Sequence, residues 1–302
     1  MARPLFGALF TVLAVSTLTA SALAQSAARI AFSAPVSTLI STKPTRYTTY
    51  TQIFSMNPDG SGVTQLTSGA VDSDNPAWSP NQQYIAFTRG TEVTVMQANG
   101  SGAFPVATAV GAGVSSLSWS ADGTELAFTS GDANNDLYVV SVNTANETAG
   151  TPALLAPGPS YDVNWSPDGT KLAFDRYDSS GNSAIIVHEM STGAEYNFSS
   201  QISDPGSWGP SWSPDSTMLA FQGVVTETVK TKKGTTTTTT YPLCIANAEA
   251  TDFVQVAPYG VLPTWSPDGT TLAFSNGGIY KTVISSGVVT FLRGGSTPDW
   301  NP

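Results

Sequence analysis

Residues 162–174 read DVNWSPDGTKLAF, and the same frame recurs as NPAWSPNQQYIAF (75–87), SLSWSADGTELAF (116–128), GPSWSPDSTMLAF (209–221) and LPTWSPDGTTLAF (262–274). In Ser-Pro-Asp-Gly, serine opens a type I turn, proline presets φ at the second position and glycine accepts the left-handed conformation that closes it. A turn of this kind joins two antiparallel strands through a three-residue loop. The flanking residues are apolar or β-branched, so each copy is a hairpin. Second turns follow in IFSMNPDGSGVTQLT (53–67) and VTVMQANGSGAFPV (93–106), which gives about four strands per repeat.

The tryptophans Trp78, Trp119, Trp165, Trp212, Trp265 and Trp300 anchor the copies, at a spacing that marks an array. Leu-Ala-Phe in the second strand has no polar alternation, so both faces of each sheet are buried, as when blades pack face to face. The alanine leaves room for the tryptophan of the adjacent blade. ARIAFS (28–33) is a second strand lacking its first, and TPDWNP (297–302) is a first strand lacking its second. Joined, they make one blade. The expected fold is all-β: a six-bladed propeller of four-stranded antiparallel blades, closed by the C-terminal strand joining the N-terminal blade. Closure also removes the sheet edges that invite aggregation. Gln82 and Ser216 stand where the closing glycine is expected.

These strings resemble the WD-type repeats of the TolB-like six-bladed propeller family, and the resemblance covers residues 28–302. It implies the fold. It does not extend to the α/β domain that precedes the propeller in TolB, for which the chain has no room.

Arg3, the apolar stretch Leu5 to Leu18 and Ala22-Leu23-Ala24 have the layout of a cleavable signal peptide. The expected organisation is a signal peptide over 1–24, cleaved near Ala24, and one propeller over 25–302. The product is expected in the periplasm or outside the cell, as a monomer and not embedded in a membrane. The mature chain keeps 11 basic against 22 acidic residues, a net charge of −11, which argues against a nucleic-acid partner. Cys244 is the only cysteine, so no intrachain disulfide can form; it reads as a buried thiol.

His188 is the only histidine and falls in a third strand. No G-x-S-x-G elbow accompanies it, so a serine-peptidase triad has no support. One histidine also cannot supply the several that propeller-type oligogalacturonate lyases place around a metal. Asp72, Asp74, Asp162, Asp204 and Asp299 precede the motif tryptophans and should gather at the channel mouth. There they would serve as acid and base of a carbohydrate-active enzyme, or as ligands for Ca²⁺ in a sugar-binding propeller. The competing reading gives them turn-capping work only.

Two long insertions, 33–52 and 224–243, separate second from third strands in blades one and five and read as extended hairpins. They flank blade six and hold Lys43, Arg46, Lys230, Lys232 and Lys233 as a partner-binding wall. The expected function is a non-catalytic, cofactor-free module that binds a protein or peptide; the alternative is the carboxylate-bearing, Ca²⁺-dependent or carbohydrate-active propeller.

Overall fold

The computed structural model describes residues 28–42, 44–108, 113–130, 134–202, 206–231, 234–249 and 253–302. Six antiparallel sheets, built as expected from the tryptophan repeats, surround a central axis. Blade four is representative. Ser160–Trp165 lies innermost, followed outward by Lys171–Tyr177, Ser183–Glu189 and Glu195–Asn197. The inner strands of blades two, three, five and six are Ser73–Trp78, Val114–Trp119, Trp208–Trp212 and Val261–Trp265. Blade three splits its outer edge into Thr148–Ala149 and Ala153–Ala156.

Blade one is assembled from both ends of the chain. Ser296–Trp300 pairs with Ile30–Thr42, with Ile30 opposite Trp300 and Ala31 opposite Asp299. In a continuous blade the motif serine bonds across the turn: Ser120 N donates to the Glu125 carbonyl and Glu125 N donates to Ser120 Oγ, both at 2.9 Å. Asn301 does the same work across the closure. Its N–H donates to the Arg29 carbonyl at 2.9 Å, and Arg29 N donates to Asn301 Oδ1 at 2.7 Å. The closing pair therefore reproduces the repeat's hairpin without a covalent turn.

The six alanines of the second strands seat the tryptophans of the following blades. Ala31 shares a core cluster with Trp78, Ala86 with Trp119, and Ala127 with Trp165. Ala173 pairs likewise with Trp212, Ala220 with Trp265, and Ala273 with Trp300. All six alanines are fully buried, so a larger side chain there would displace an indole that buries roughly 150–250 Å². The turns hold their expected geometry. Gly123, Gly169 and Gly269 have φ of 70°, 75° and 68°, and Gln82 and Ser216 are forced to the same region at 60°.

A feature that turn chemistry does not announce is a bulge in every inner strand. The register slips just before each tryptophan. The residue three positions before it is left-handed in five blades: Asn75, Asp162, Gly209, Leu262 and Thr297, with φ between 46° and 66°. A bulge bends the strand and re-aims its side chains. Here it sits at the channel mouth.

Candidate functional site

The inner strands enclose an axial channel with two chambers. The mouth, about 170 Å³, is lined by the bulge residues, among them Asp162, Leu262 and Thr297. The opposite chamber, about 350 Å³, is a funnel walled by all six motif tryptophans and by Pro80, Pro167, Pro214, Pro267 and Pro302. The mouth shares a face with both long hairpins, because the links into inner strands and those between second and third strands emerge on the same side. The funnel opens on the face of the Ser-Pro-Asp-Gly turns.

The residues immediately before the tryptophans are Ala77, Ser118, Asn164, Ser211, Thr264 and Asp299, and all but Ser118 line both chambers. Four of them stitch neighbouring blades. Ser118 Oγ accepts from Trp165 N at 2.8 Å, and Asn164 Oδ1 accepts from Trp212 N at 2.9 Å. Thr264 Oγ1 accepts from Trp300 N at 3.1 Å, and Asp299 Oδ2 accepts from Trp78 N at 2.6 Å. At Ala77 and Ser211 the indole makes the link instead. Trp119 Nε1 donates to the Ala77 carbonyl at 3.1 Å and Trp265 Nε1 to the Ser211 carbonyl at 3.0 Å. Each junction thus has one inter-blade hydrogen bond made by a tryptophan.

Asp299 lines both chambers, where the mouth meets the funnel. Burial raises its pKa to about 7, against the pull of the Trp78 N–H and the Thr264 hydroxyl. Asp162 does line the mouth, and burial raises its pKa too. Asp175, a fully buried residue of the adjacent strand, pulls the other way on it. Both Asp175 oxygens face Gly209 N in blade five, at 3.0 and 2.9 Å. Burial, then the neighbouring Asp162 charge, pushes Asp175 well above the usual carboxylate range.

Asp72 and Asp74 do not join this group. Asp72 is exposed and accepts from Thr51 N at 2.7 Å, fastening the first hairpin to blade two. Asp74 Oδ1 accepts from Asn75 N at 2.8 Å and from Thr297 Oγ1 at 3.1 Å. Asp204, Lys43, Lys232 and Lys233 lie outside the described residues. His188 sits in the third strand of blade four, buried, with Nδ1 3.4 Å from Glu195 Oε1. Cys244 is fully buried, 3.7 Å from the Pro242 carbonyl. Among the described residues no three His, Cys, Asp or Glu side chains are disposed to hold a metal ion.

The hairpins are formed. Ile30–Thr42 and Thr45–Met56 stay paired to their tips, and Val225–Thr231 pairs with Gly234–Thr240 as a separate two-stranded ribbon. Arg46 and Lys230 are exposed on them. The same face carries every exposed tyrosine among the described residues: Tyr47, Tyr177, Tyr241 and Tyr259. Tyr241 packs on Trp208 at 5.9 Å, and Tyr177 meets Tyr161 edge-on at 5.2 Å. Sequence reasoning missed this belt, the inter-blade hydrogen bonds of the tryptophans and Asp175. Asp175 had a visible signal, since it follows Leu-Ala-Phe where the other aligned copies have threonine, glutamine or serine. The tyrosines had none, because they lie outside the repeat.

No family model matches the chain, and no curated protein matches it. Solved structures do. TolB from Acinetobacter baumannii superposes with a TM-score of 0.67 at 17% identity, over 91% of this chain and 67% of that one. This is the propeller fold of TolB. A putative TolB from Agrobacterium tumefaciens gives 0.62 at 16% identity, over 89% and 90% of the two chains. A chain of a nidogen/laminin complex gives 0.65 at 8% identity, over 91% and 98%. A Mycobacterium tuberculosis puromycin-hydrolyzing peptidase gives 0.56 at 12% identity, over 87% and 45% of the two chains. No helix among the described residues is long and apolar enough to cross a membrane.

Proposed function

We propose that this protein is an exported, non-catalytic propeller that binds a protein or peptide on its hairpin face. The observation that carries the reading is the concentration of exposed aromatic rings and unpaired strand edges on that face. Tyrosine and tryptophan supply large contact area at little entropic cost and dominate interface energetics. A two-stranded ribbon is only marginally stable by itself in water, and the one over 225–240 contributes no strand to any blade. Its open edges present unpaired N–H and C=O groups to which an extended segment can add. The described hairpin cations, Arg46 and Lys230, would steer an acidic segment towards it. That a propeller of the same fold occurs in a nidogen/laminin complex is in keeping with such a role. His188 is placed away from the channel and against Glu195, where it cannot serve a nucleophile at the mouth.

Affinity capture from the exported fraction tests this reading. The intact protein should retain a partner that is lost when 225–240 is replaced by a two-residue Asn-Gly turn and Tyr241 by serine. Equal capture by both forms would move the site off this face. Turnover of a glycoside that is abolished by Asp162→Asn would instead support the carbohydrate-active reading.

A further inference from the structure

Three neighbouring blades, three to five, turn hydrogen-bond donors to the channel that the protein itself does not use. Ser118 Oγ accepts from Trp165 N at 2.8 Å, so its own O–H proton is left over. Asn164 Oδ1 accepts from Trp212 N at 2.9 Å, which fixes the amide and leaves Nδ2 without an acceptor among the described residues. Ser211 is only 6% exposed, yet its Oγ has no partner among the described residues and is not sealed from the channel. Blade two carries Ala77 at this position, so the fold does not demand a polar group there. Confined donors without acceptors are costly and call for an explanation.

The tryptophans and prolines around these donors offer carbon. Trp119 and Trp265 Nε1 are spent on the Ala77 and Ser211 carbonyls, and Trp165 Nε1 on the Gly169 carbonyl at 3.3 Å. Trp78, Trp212 and Trp300 Nε1 are shut off from solvent. The indoles therefore turn ring carbon, not N–H, to the funnel. No lysine or arginine lines either chamber, and Asp122, Asp168, Asp215 and Asp268 stand in the turns on the funnel's face, so an anion is repelled. A cation gains nothing from Asn164 Nδ2, which cannot accept. In the six-bladed ring Asp299 stands opposite Asn164. Its Oδ2 is taken by Trp78 N, while its Oδ1 has the Thr264 hydroxyl at 3.5 Å, a long contact that leaves room for another donor.

The geometry points to the funnel as a binding site for an uncharged mono- or disaccharide, its hydroxyls against Ser118, Asn164 and Ser211 and its C–H faces against indole and proline carbon. The volume, about 350 Å³, falls in the range of small-molecule sites, roughly 300–1,000 Å³, and a mostly apolar wall with a few placed polar groups is their usual composition. A hydroxyl both donates and accepts, so one sugar ring answers the donors of blades three to five and Asp299 Oδ1 together. A proline-type peptide of similar carbon character supplies acceptors alone. This site lies on the turn face, away from the hairpins. It differs from a carboxylate site at the mouth in chemistry as well as place, because neutral hydroxyl and amide donors do most of the recognising.

The test needs no protein partner, so its outcome is independent of the reading of the hairpin face. The intact protein is titrated with glucose, galactose, mannose and N-acetylglucosamine and with their β-1,4-linked disaccharides. Binding is followed by the indole N–H resonances of the seven tryptophans, six of which wall the funnel while Trp208 lies outside it. At least one sugar should shift the funnel set saturably and leave Trp208 unmoved, and glucuronate should bind more weakly than glucose. Ser211→Ala should weaken the best sugar about 3–10-fold and melt like the intact protein, because its Oγ bonds to nothing in the fold. Asn164→Asp keeps an acceptor for Trp212 N but loses the donor, and should weaken the sugar by at least as much. No saturable shift from any sugar would overturn the site, and so would equal affinity in both variants. Saturation by N-acetyl-triproline amide with no response to the sugars would overturn it in favour of a peptide.

Discussion

On the turn face, Asp122, Asp168, Asp215 and Asp268 sit in solvent-facing loops, each accepting from the motif serine hydroxyl and from the N–H and hydroxyl of the threonine two residues on. In the channel, Asp175 is fully buried and Asp162 and Asp299 are half-buried, all three with few donors. For Asp122 and Asp268 the serine hydroxyl and the threonine N–H lower the pKa; for Asp168 and Asp215 partial burial works upward but the same hydrogen bonds outweigh it. The channel carboxyls all shift upward because burial dominates. One residue type, carried by strands of the same repeat, thus answers protons in opposite senses. Number of donors and access to water decide which. The turn face is the repeat expressed five times and closed by Asn301; the hairpin face is where blades differ.

The comparison is broken most severely by removing 297–302. This deletes the inner strand of blade one, the Asp299 stitch to Trp78, and Asn301. Cooperative melting should be lost and aggregation should follow at the exposed edge; a truncated protein that melts like the intact one would refute closure. Next in size, Trp165→Ala should cost about 3–5 kcal/mol by emptying the socket at Ala127, whereas Tyr177→Ser on the hairpin face should change denaturant midpoints little. Comparable losses from both would mean the hairpin face is structural.

The pH responses come third. The turn aspartates have depressed pKa values, so their contribution is present above the unfolded value near 4 and lost as pH falls below it. Asp299 has a raised one, so its contribution is full below about 4 and lost as pH rises through about 7. Melting temperature should peak between these limits. Asp299→Asn, which keeps an acceptor for Trp78 N, should lessen the alkaline limb, the remainder belonging to Asp162 and Asp175, and leave the acid limb as it is. Asp168→Asn should soften only the acid limb. An alkaline limb unchanged by Asp299→Asn would show that this carboxyl is not the group responsible.

Smaller effects are expected at the two left-handed turn residues. Glycine relieves a backbone cost of roughly 1–2 kcal/mol, but both side chains also link blades. Gln82 accepts from Asn301 Nδ2 at 3.2 Å and donates to the Pro302 carbonyl, while Ser216 Oγ accepts from Asp168 N at 3.0 Å. Ser216→Gly should therefore gain more than Gln82→Gly, with net changes of about 1 kcal/mol or less. The reverse order in urea titrations would mean the closure contacts contribute little. Smallest of all, shortening the ribbon at 225–240 should leave the melting temperature nearly unchanged; a marked drop would make the ribbon part of the fold.

The blade count, the closure by Trp300, the hairpin turns and the alanine sockets were all readable in the chain, because each rests on local chemistry repeated in register. A proline or glycine in a four-residue turn acts on its immediate neighbours, and an alanine beside two large apolar residues reports a close contact wherever it lies. The left-handed geometry of Gln82 and Ser216 followed for the same reason. The inner-strand bulges did not, since Asn75, Leu262 and Thr297 share no side-chain chemistry and are held left-handed by the ring. Nor did the fate of the aspartates. Asp72, Asp162 and Asp299 look alike in sequence, yet one is exposed before the inner strand of blade two, one lines the mouth beside the adjacent strand's buried Asp175, and one stitches blade one to blade two. Charge state depends on desolvation and on partners as far as 221 residues away, as with Asp299 and Trp78, and only the closed ring brings those together.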